Sequence, residues 1–242
     1  MHRRPAVGMS HRFSVDKWAA WGPGLADQTA WQRWLAHPTP ITANDKPLLD
    51  EMPAMMRRRV EQLGRAALQA AYWCQGAQGG EPVIFASRYG DIRRSVDLLQ
   101  SLARQESLSP TSFSLSVHNA IGALYSIARG DTSNYIALAA GEATTPMAFM
   151  EALGLLVDGA PSVLLVVYDE PLPLVYSQYA THEDFPRAWA CRISRADGQG
   201  ISLRRADTAT PTELPPDLAV LRFLTSEQAA LQQGDWVWSR HA

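Results

Sequence analysis

Residues 162–168 read SVLLVVY, seven positions without a charge or a glycine. A run that short and that apolar suits a strand covered on both faces, because a strand with one wet face would alternate apolar and polar residues. EPVIFAS at 81–87 has the same character, and IALAAG at 136–141 is a third run ending in small residues. Helical spacing separates them. In DIRRSVDLLQSLAR, residues 91–104, Ile92, Val96, Leu99 and Ala103 share one face, and HNAIGALYSIA, residues 118–128, aligns Ile121, Leu124, Tyr125 and Ala128 before Gly130 stops it. A further helix is expected from about Pro146 to Val157. Short buried strands alternating with helices predict an α/β layered domain with a mostly parallel sheet.

The flanks extend this pattern. FSVDKWAAWGPG reads as a first strand and a Gly-Pro-Gly stop, followed by a helix over 27–36 with Asp27 as N-cap and Trp31, Trp34 and Leu35 on one face. After a proline-rich loop to about Pro53, one long helix is expected from Ala54 to Trp73, with Met56, Val60, Leu63, Ala67, Leu68 and Ala71 inward. Beyond residue 170, WACRIS and GISLRR suggest a hairpin turning at DGQG, residues 216–233 one or two short helices, and DWVWSR a last strand or an exposed hook. Residues 1–12 are expected to be flexible and 13–242 to form one domain, with 170–242 its divergent part.

With 22 basic and 24 acidic residues the net charge is −2, which gives no global field for nucleic acid or an anionic membrane. Cys74 and Cys191 lie far apart and outside any CxxC pattern, which argues against a disulfide framework or structural zinc and fits a reducing cytoplasm. No segment is long and apolar enough to span a bilayer.

Several motifs fail their chemistry. The glycines at 22–24 and 76–80 match neither GxGxxG nor a P-loop. None of the six histidines stands at metal-ligand spacing, so no metal or cofactor is expected. Ser114 and Ser116 lie outside any GxSxG elbow, which argues against a hydrolase triad with His118; the simpler reading of His118 is a bond to a local carbonyl. Asp169 and Glu170 are adjacent on a strand end, so their side chains diverge, whereas glycosidase chemistry needs facing carboxylates. Arg57, Arg58 and Arg59 read as a solvated face, with docking of an acidic partner as the other reading.

The stretch IALAAGEATTPMAF, residues 136–149, remains. A strand turns at Gly141 into a helix whose first turn could hold Thr144, Thr145 and Pro146, a corner at which α/β enzymes mount nucleophiles. The corner residue is Glu142. A carboxylate at a helix N-terminus is stabilised as an anion, which makes it a poor nucleophile and a poor acid. Either it is a surface acid near the cap or it has a function.

Taken together, FSVDKWAAWGPG with its Trp-rich helix, ASRYGDIRRSVDLL, SPTSFSLSVHNAIGALYSIARG and IALAAGEATTPMAFMEALGLLVDGAPSVLLVV resemble, in order over about residues 12–170, the N-terminal half of β-ketoacyl synthases of the thiolase fold. The resemblance implies a layered mixed sheet with flanking helices. It also implies a nucleophilic cysteine at the corner, where a gap-free reading instead places Glu142 or its neighbour Gly141. Cys74 and Cys191 match no such position, and nothing after residue 170 resembles the family's second half with its two catalytic histidines. Without a thiolate no acyl-enzyme forms, and without the histidines nothing polarises the thioester.

With these departures the chain resembles the short, non-catalytic chain-length-factor-like subunit of aryl polyene pathways. That resemblance implies a heterodimer with a full-length β-ketoacyl-ACP synthase, contact with acyl carrier protein through the complex, and an interface at Tyr135, Ile136, Ala137, Leu138, Ala139 and Ala140. Phe113, Leu115, Tyr125 and Met147 are the implied tunnel plugs, with His118 and Asn119 beside them. Glu142 would then be an interface ion-pair partner. Two alternatives stay open: a stand-alone acyl-thioester decarboxylase or transferase using Glu142 and His118, and a binding module with no acyl chemistry.

Overall fold

The computed structural model describes residues 12–77 and 79–241; the flexible segment expected at 1–12 therefore lies, apart from Arg12, outside the described residues. The elements run β1 (Arg12–Trp21), α1 (Gln28–Ala36), α2 (Ala54–Arg57), α3 (Gln62–Gln75), β2 (Val83–Ala86), α4 (Ile92–Ala103), α5 (Pro110–Ser114), α6 (Ala120–Arg129) and β3 (Tyr135–Leu138). A 3-10 turn (Gly141–Ala143), α7 (Thr144–Val157), β4 (Ser162–Asp169), a second 3-10 turn (Leu174–Tyr179), β5 (Arg187–Arg195), β6 (Gly200–Thr210), α8 (Pro216–Leu224) and β7 (Ala230–His241) complete it.

One seven-stranded sheet has the order β3-β2-β4-β5-β1-β6-β7. The β4 run behaves as its composition requires. Val163, Leu165 and Val167 enter the core between the sheet and α1, α7 and α8, while Leu164, Val166 and Tyr168 enter the core on the other face, under α3 and α6. Both faces are covered, so no position in the run needs a polar residue.

The mostly parallel sheet expected from the alternation is corrected. Among the described strands only β2 with β3 and β2 with β4 are parallel; β4–β5, β5–β1, β1–β6 and β6–β7 are antiparallel. The hairpin expected across DGQG is corrected too. Both strands exist, but β1 lies between them, pairing Phe13 with Arg195 on one side and with Ile201 on the other. A tight turn is the locally cheapest link, yet β1 buries Phe13 against Phe149 and Trp238, which two strands closed on each other would exclude.

The long helix expected over 54–73 is broken at Arg58–Glu61. Val60 turns into the core there, and Arg65 supplies the donors the break needs, from Nη2 to Arg57 O at 3.1 Å and from Nε to Val60 O at 3.0 Å. Residues 230–233, expected to be helical, open β7. DWVWSR is strand rather than hook: Trp238 is fully buried, perpendicular to Phe149 at 4.9 Å between ring centroids.

Gly122 lets α6 press onto the sheet. A Cβ there would meet Tyr135 Cδ2 at 2.8 Å and Phe85 Cδ2 at 3.1 Å. Gly122→Ala is therefore expected to cost about 1–3 kcal/mol in chemical denaturation, as over-packing does. An unchanged midpoint would show that β3 is not held against α6.

Candidate functional site

The three mutually parallel strands β3, β2 and β4 end on the same side of the sheet, where open α/β sheets gather their functional groups. Three turns meet there: Ser87–Gly90, Ala139–Ala143 and Asp169–Glu170.

Ser87 organises the first turn. Its hydroxyl donates to Asp169 Oδ1 at 2.8 Å and accepts from Gly90 N at 2.8 Å, and the backbone N–H of Arg88 donates to the same Asp169 oxygen at 3.0 Å. Gly90 adopts φ +60°, and a Cβ on it would strike His118 Cδ2 at 2.9 Å. His118 Nε2 lies 3.0 Å from Ser87 O and donates to it; the sequence suggests a bond to a local carbonyl, but the acceptor lies 31 residues away, on the turn after β2. Serine, histidine and aspartate thus adjoin one another without forming a triad: the histidine binds the serine's carbonyl rather than its hydroxyl, and Ser87 is fully buried.

The second turn carries Glu142. Gly141 takes φ +60°, and the Thr144 hydroxyl accepts from Ala140 N and donates to Gly141 O at 2.7 Å, which fixes the corner before α7 begins. The Glu142 side chain is 58% exposed, with one carboxylate oxygen 3.8 Å from Arg88 Nη2. Arg88 is mostly buried, its guanidinium 5.2 Å from the Tyr89 ring centroid.

In the third turn the adjacent carboxylates diverge. Glu170 faces Arg93 at 3.5 Å, while Asp169 points to Ser87. Burial pushes the Asp169 carboxyl up to about 7 against the opposing pull of Arg187. Arg187 is itself buried, held by Asp217 through Nε at 2.8 Å and Nη2 at 2.6 Å, and by Asp184 and the Phe185 carbonyl. Sequence reading missed this cluster, because its members come from three distant segments. Its only local trace is an arginine placed directly before the apolar run AWAC.

The thiols lie elsewhere. Cys74 and Cys191 are buried, which pushes the first up to about 12 and raises the second, so neither serves as a thiolate.

β3 is an edge strand. Leu138 O accepts from Ser87 N and Asn134 O from Val83 N, so the even-numbered residues turn their backbone toward β2. Tyr135 and Ala137 therefore present N–H and C=O to the open edge. Tyr135, Ile136, Ala137 and Leu138 are half-buried, and Ala139 and Ala140 are exposed. On the helices covering the sheet at this end, Ile127 of α6 and Met147, Met150 and Val157 of α7 are exposed apolar residues. The other sequence-derived candidates are scattered. Phe113 is exposed on α5, Leu115 is half-buried, and Asn119 is exposed at the N-cap of α6. Tyr125 is a core residue, stacked edge-on against Tyr72 and Phe85 and donating to Gln75 Oε1.

Residues 31–239 match the family described as "Beta-ketoacyl synthase, N-terminal domain". The chain belongs to that family. The match runs past residue 170 into the part expected to be divergent, and the seven-stranded mixed sheet with flanking helices is the thiolase-like fold expected.

Among solved structures it is similar to a chain of "Ketosynthase (ApeO) in Complex with its Chain Length Factor (ApeC) from Xenorhabdus doucetiae", with a TM-score of 0.82 and 26% identity, over 95% of this chain and 99% of that one. It shares its fold with "AntDE:AntF (apo): type II PKS acyl-carrier protein in complex with its ketosynthase bound to the hexaketide", with a TM-score of 0.65, 12% identity and coverage of 85% and 71%. It shares it also with "The ishigamide ketosynthase/chain length factor", at 0.60, 12%, 81% and 68%. No curated protein sequence matches the ketosynthase-like domain. Among its described residues no helix is long and apolar enough to cross a membrane.

Proposed function

We propose that this chain is a non-catalytic, chain-length-factor-like partner of a full-length β-ketoacyl-ACP synthase in aryl polyene or related polyketide and fatty acid biosynthesis. It pairs through the open edge of β3 and shapes the acyl tunnel of the active subunit. The reading rests on the corner: Glu142 is a solvent-exposed carboxylate beside the edge strand β3, at the place where the resemblance read from the sequence implies the thiolate of a condensing member. The likeness to ketosynthase and chain length factor complexes supports the same reading. Phe113, Leu115 and Met147 are the side chains proposed to reach the partner's tunnel, and acyl carrier protein is engaged through the complex.

The enzyme reading fits the geometry less well. A carboxylate can imitate a neutral amide only when burial keeps it protonated, and Glu142 is open to solvent. His118 spends its Nε2 proton on a backbone carbonyl.

Co-expression with a ketosynthase encoded beside it, one partner tagged, followed by size exclusion with light scattering, is expected to give a one-to-one complex. A chain that stays alone would overturn the proposal. Glu142→Ala is expected to weaken that complex by no more than about fivefold, as for an exposed ion pair, and malonyl-thioester turnover by the chain is expected to stay at background. Turnover that disappears in Glu142→Ala would restore the enzyme reading.

A further inference from the structure

The turn after β2 and the segment after β4 enclose a cavity of about 200 Å³. Its lining combines the apolar Pro171, Leu172 and Pro215 with the polar Arg88, Tyr89, Ser177, Tyr179, Thr181, His182 and Asp184, and the Thr181 hydroxyl also lies 3.0 Å from His182 Nδ1. The guanidinium is poorly satisfied for one so enclosed. Its side chain is 17% exposed, its protein contacts are long (3.4 Å to Thr181 Oγ1, 3.3 Å to Tyr89 OH, 3.8 Å to Glu142), and its buried Nε has no partner among the described residues. A cation withdrawn from water is costly unless a well-placed acceptor meets it.

The nearby carboxylates do not fill that role. Asp184 borders the cavity but is bound to Arg187 and to Phe185 N, and Asp169 accepts from Ser87 and from the Arg88 backbone rather than from its side chain. Glu142 approaches only to ion-pair distance, from a largely solvated position.

We infer that this cavity binds a small oxyanion with a short apolar body, a carboxylate or a phosphate ester, with Arg88 as the charged anchor and the Tyr89 and Thr181 hydroxyls as orienting donors. Guanidinium and hydroxyl donors beside apolar lining residues suit such a ligand, and charge-assisted bonds to it would replace the long contacts above. The site belongs to this chain alone and stands whether or not the partner proposed above exists.

The test is titration calorimetry on the full chain at constant ionic strength, with inorganic phosphate, butyrate and neutral butyramide as probes. Butyrate or phosphate is expected to bind in the millimolar range and butyramide not to bind; the stronger anion identifies the head group. Arg88→Gln is expected to weaken binding by about tenfold or more, whereas Glu142→Gln, which removes the competing negative charge, is expected to tighten it. A purely structural Arg88 would not give opposite signs in the two variants. If Arg88→Gln fails to fold, the double variant Tyr89→Phe and Thr181→Val, which leaves the charge in place, is expected to weaken the anion several-fold. Absence of anion binding, equal binding of butyramide, or affinity unchanged in the folded variants would overturn the inference.

Discussion

Ala137→Pro is expected to abolish co-purification of a ketosynthase partner, raising Kd by about 100-fold or more, while moving the Tm of the chain itself by no more than about 3 °C. The selectivity follows from the alternation of the strand. Ala137 turns its N–H to the open edge, and the bonds that hold β3 to β2 run through Leu138 and Asn134. Proline deletes an edge donor and adds bulk where a second strand would lie, and edge strands tolerate it. Ile136, the residue before it, is already extended, as a residue before proline prefers to be. Pull-down and circular dichroism on the same preparation check both halves. A complex that survives Ala137→Pro would place the partner elsewhere on the molecule.

Arg187→Met is expected to be the most destabilising single change, at about 3–5 kcal/mol, because it strands Asp217 and Asp184 without their cation. The loss should depend on pH. In the parent chain burial holds Asp169 up to about 7, above the value of about 4 it has when unfolded. Its contribution to stability is therefore complete below about 4 and is lost as pH rises through about 7. Removing Arg187 takes away the main charge opposing that rise and exposes the neighbouring carboxylates to the same burial. The variant should thus be closest to the parent near about pH 5 and furthest from it near about pH 8, a Tm gap of roughly 10 °C. Thermal unfolding at the two pH values checks the sign; a gap that narrows with rising pH would show that the cluster does not behave as buried carboxylates.

How much of this could be read from the amino acids depended on range. The β4 run and the Gly141 corner were legible, because seven apolar residues allow little but a doubly covered strand and because the glycine and the Thr144 staple are neighbours in the chain. The pairing of β5 and β6 was misread, because turn chemistry is local and the strand that separates them lies at the other end of the molecule. The break before α3 has no proline or glycine to announce it; it depends on Arg65 reaching back to carbonyls released when Val60 turns inward. At the site, the divergence of Asp169 and Glu170 followed from strand geometry alone. Their burial did not, since it needs Ser87, Arg187 and Asp217 brought together from three segments.

The insertion of β1 between β5 and β6 has a bearing on how the chain folds as it is made. β1, the first of the described strands, has no strand partner until residues beyond 186 have been synthesised, because β5 and β6 both lie there. Until then α3 and Phe149 of α7 can cover its apolar faces, but both of its backbone edges remain available for the wrong contacts, and closing so long a loop is slow. A truncation ending near residue 170 would keep the corner, the edge strand and the Ser87 turn but leave that strand without either partner. Yield in the cell should accordingly respond more to chaperone supply and to translation rate over the C-terminal third than to substitutions around Glu142.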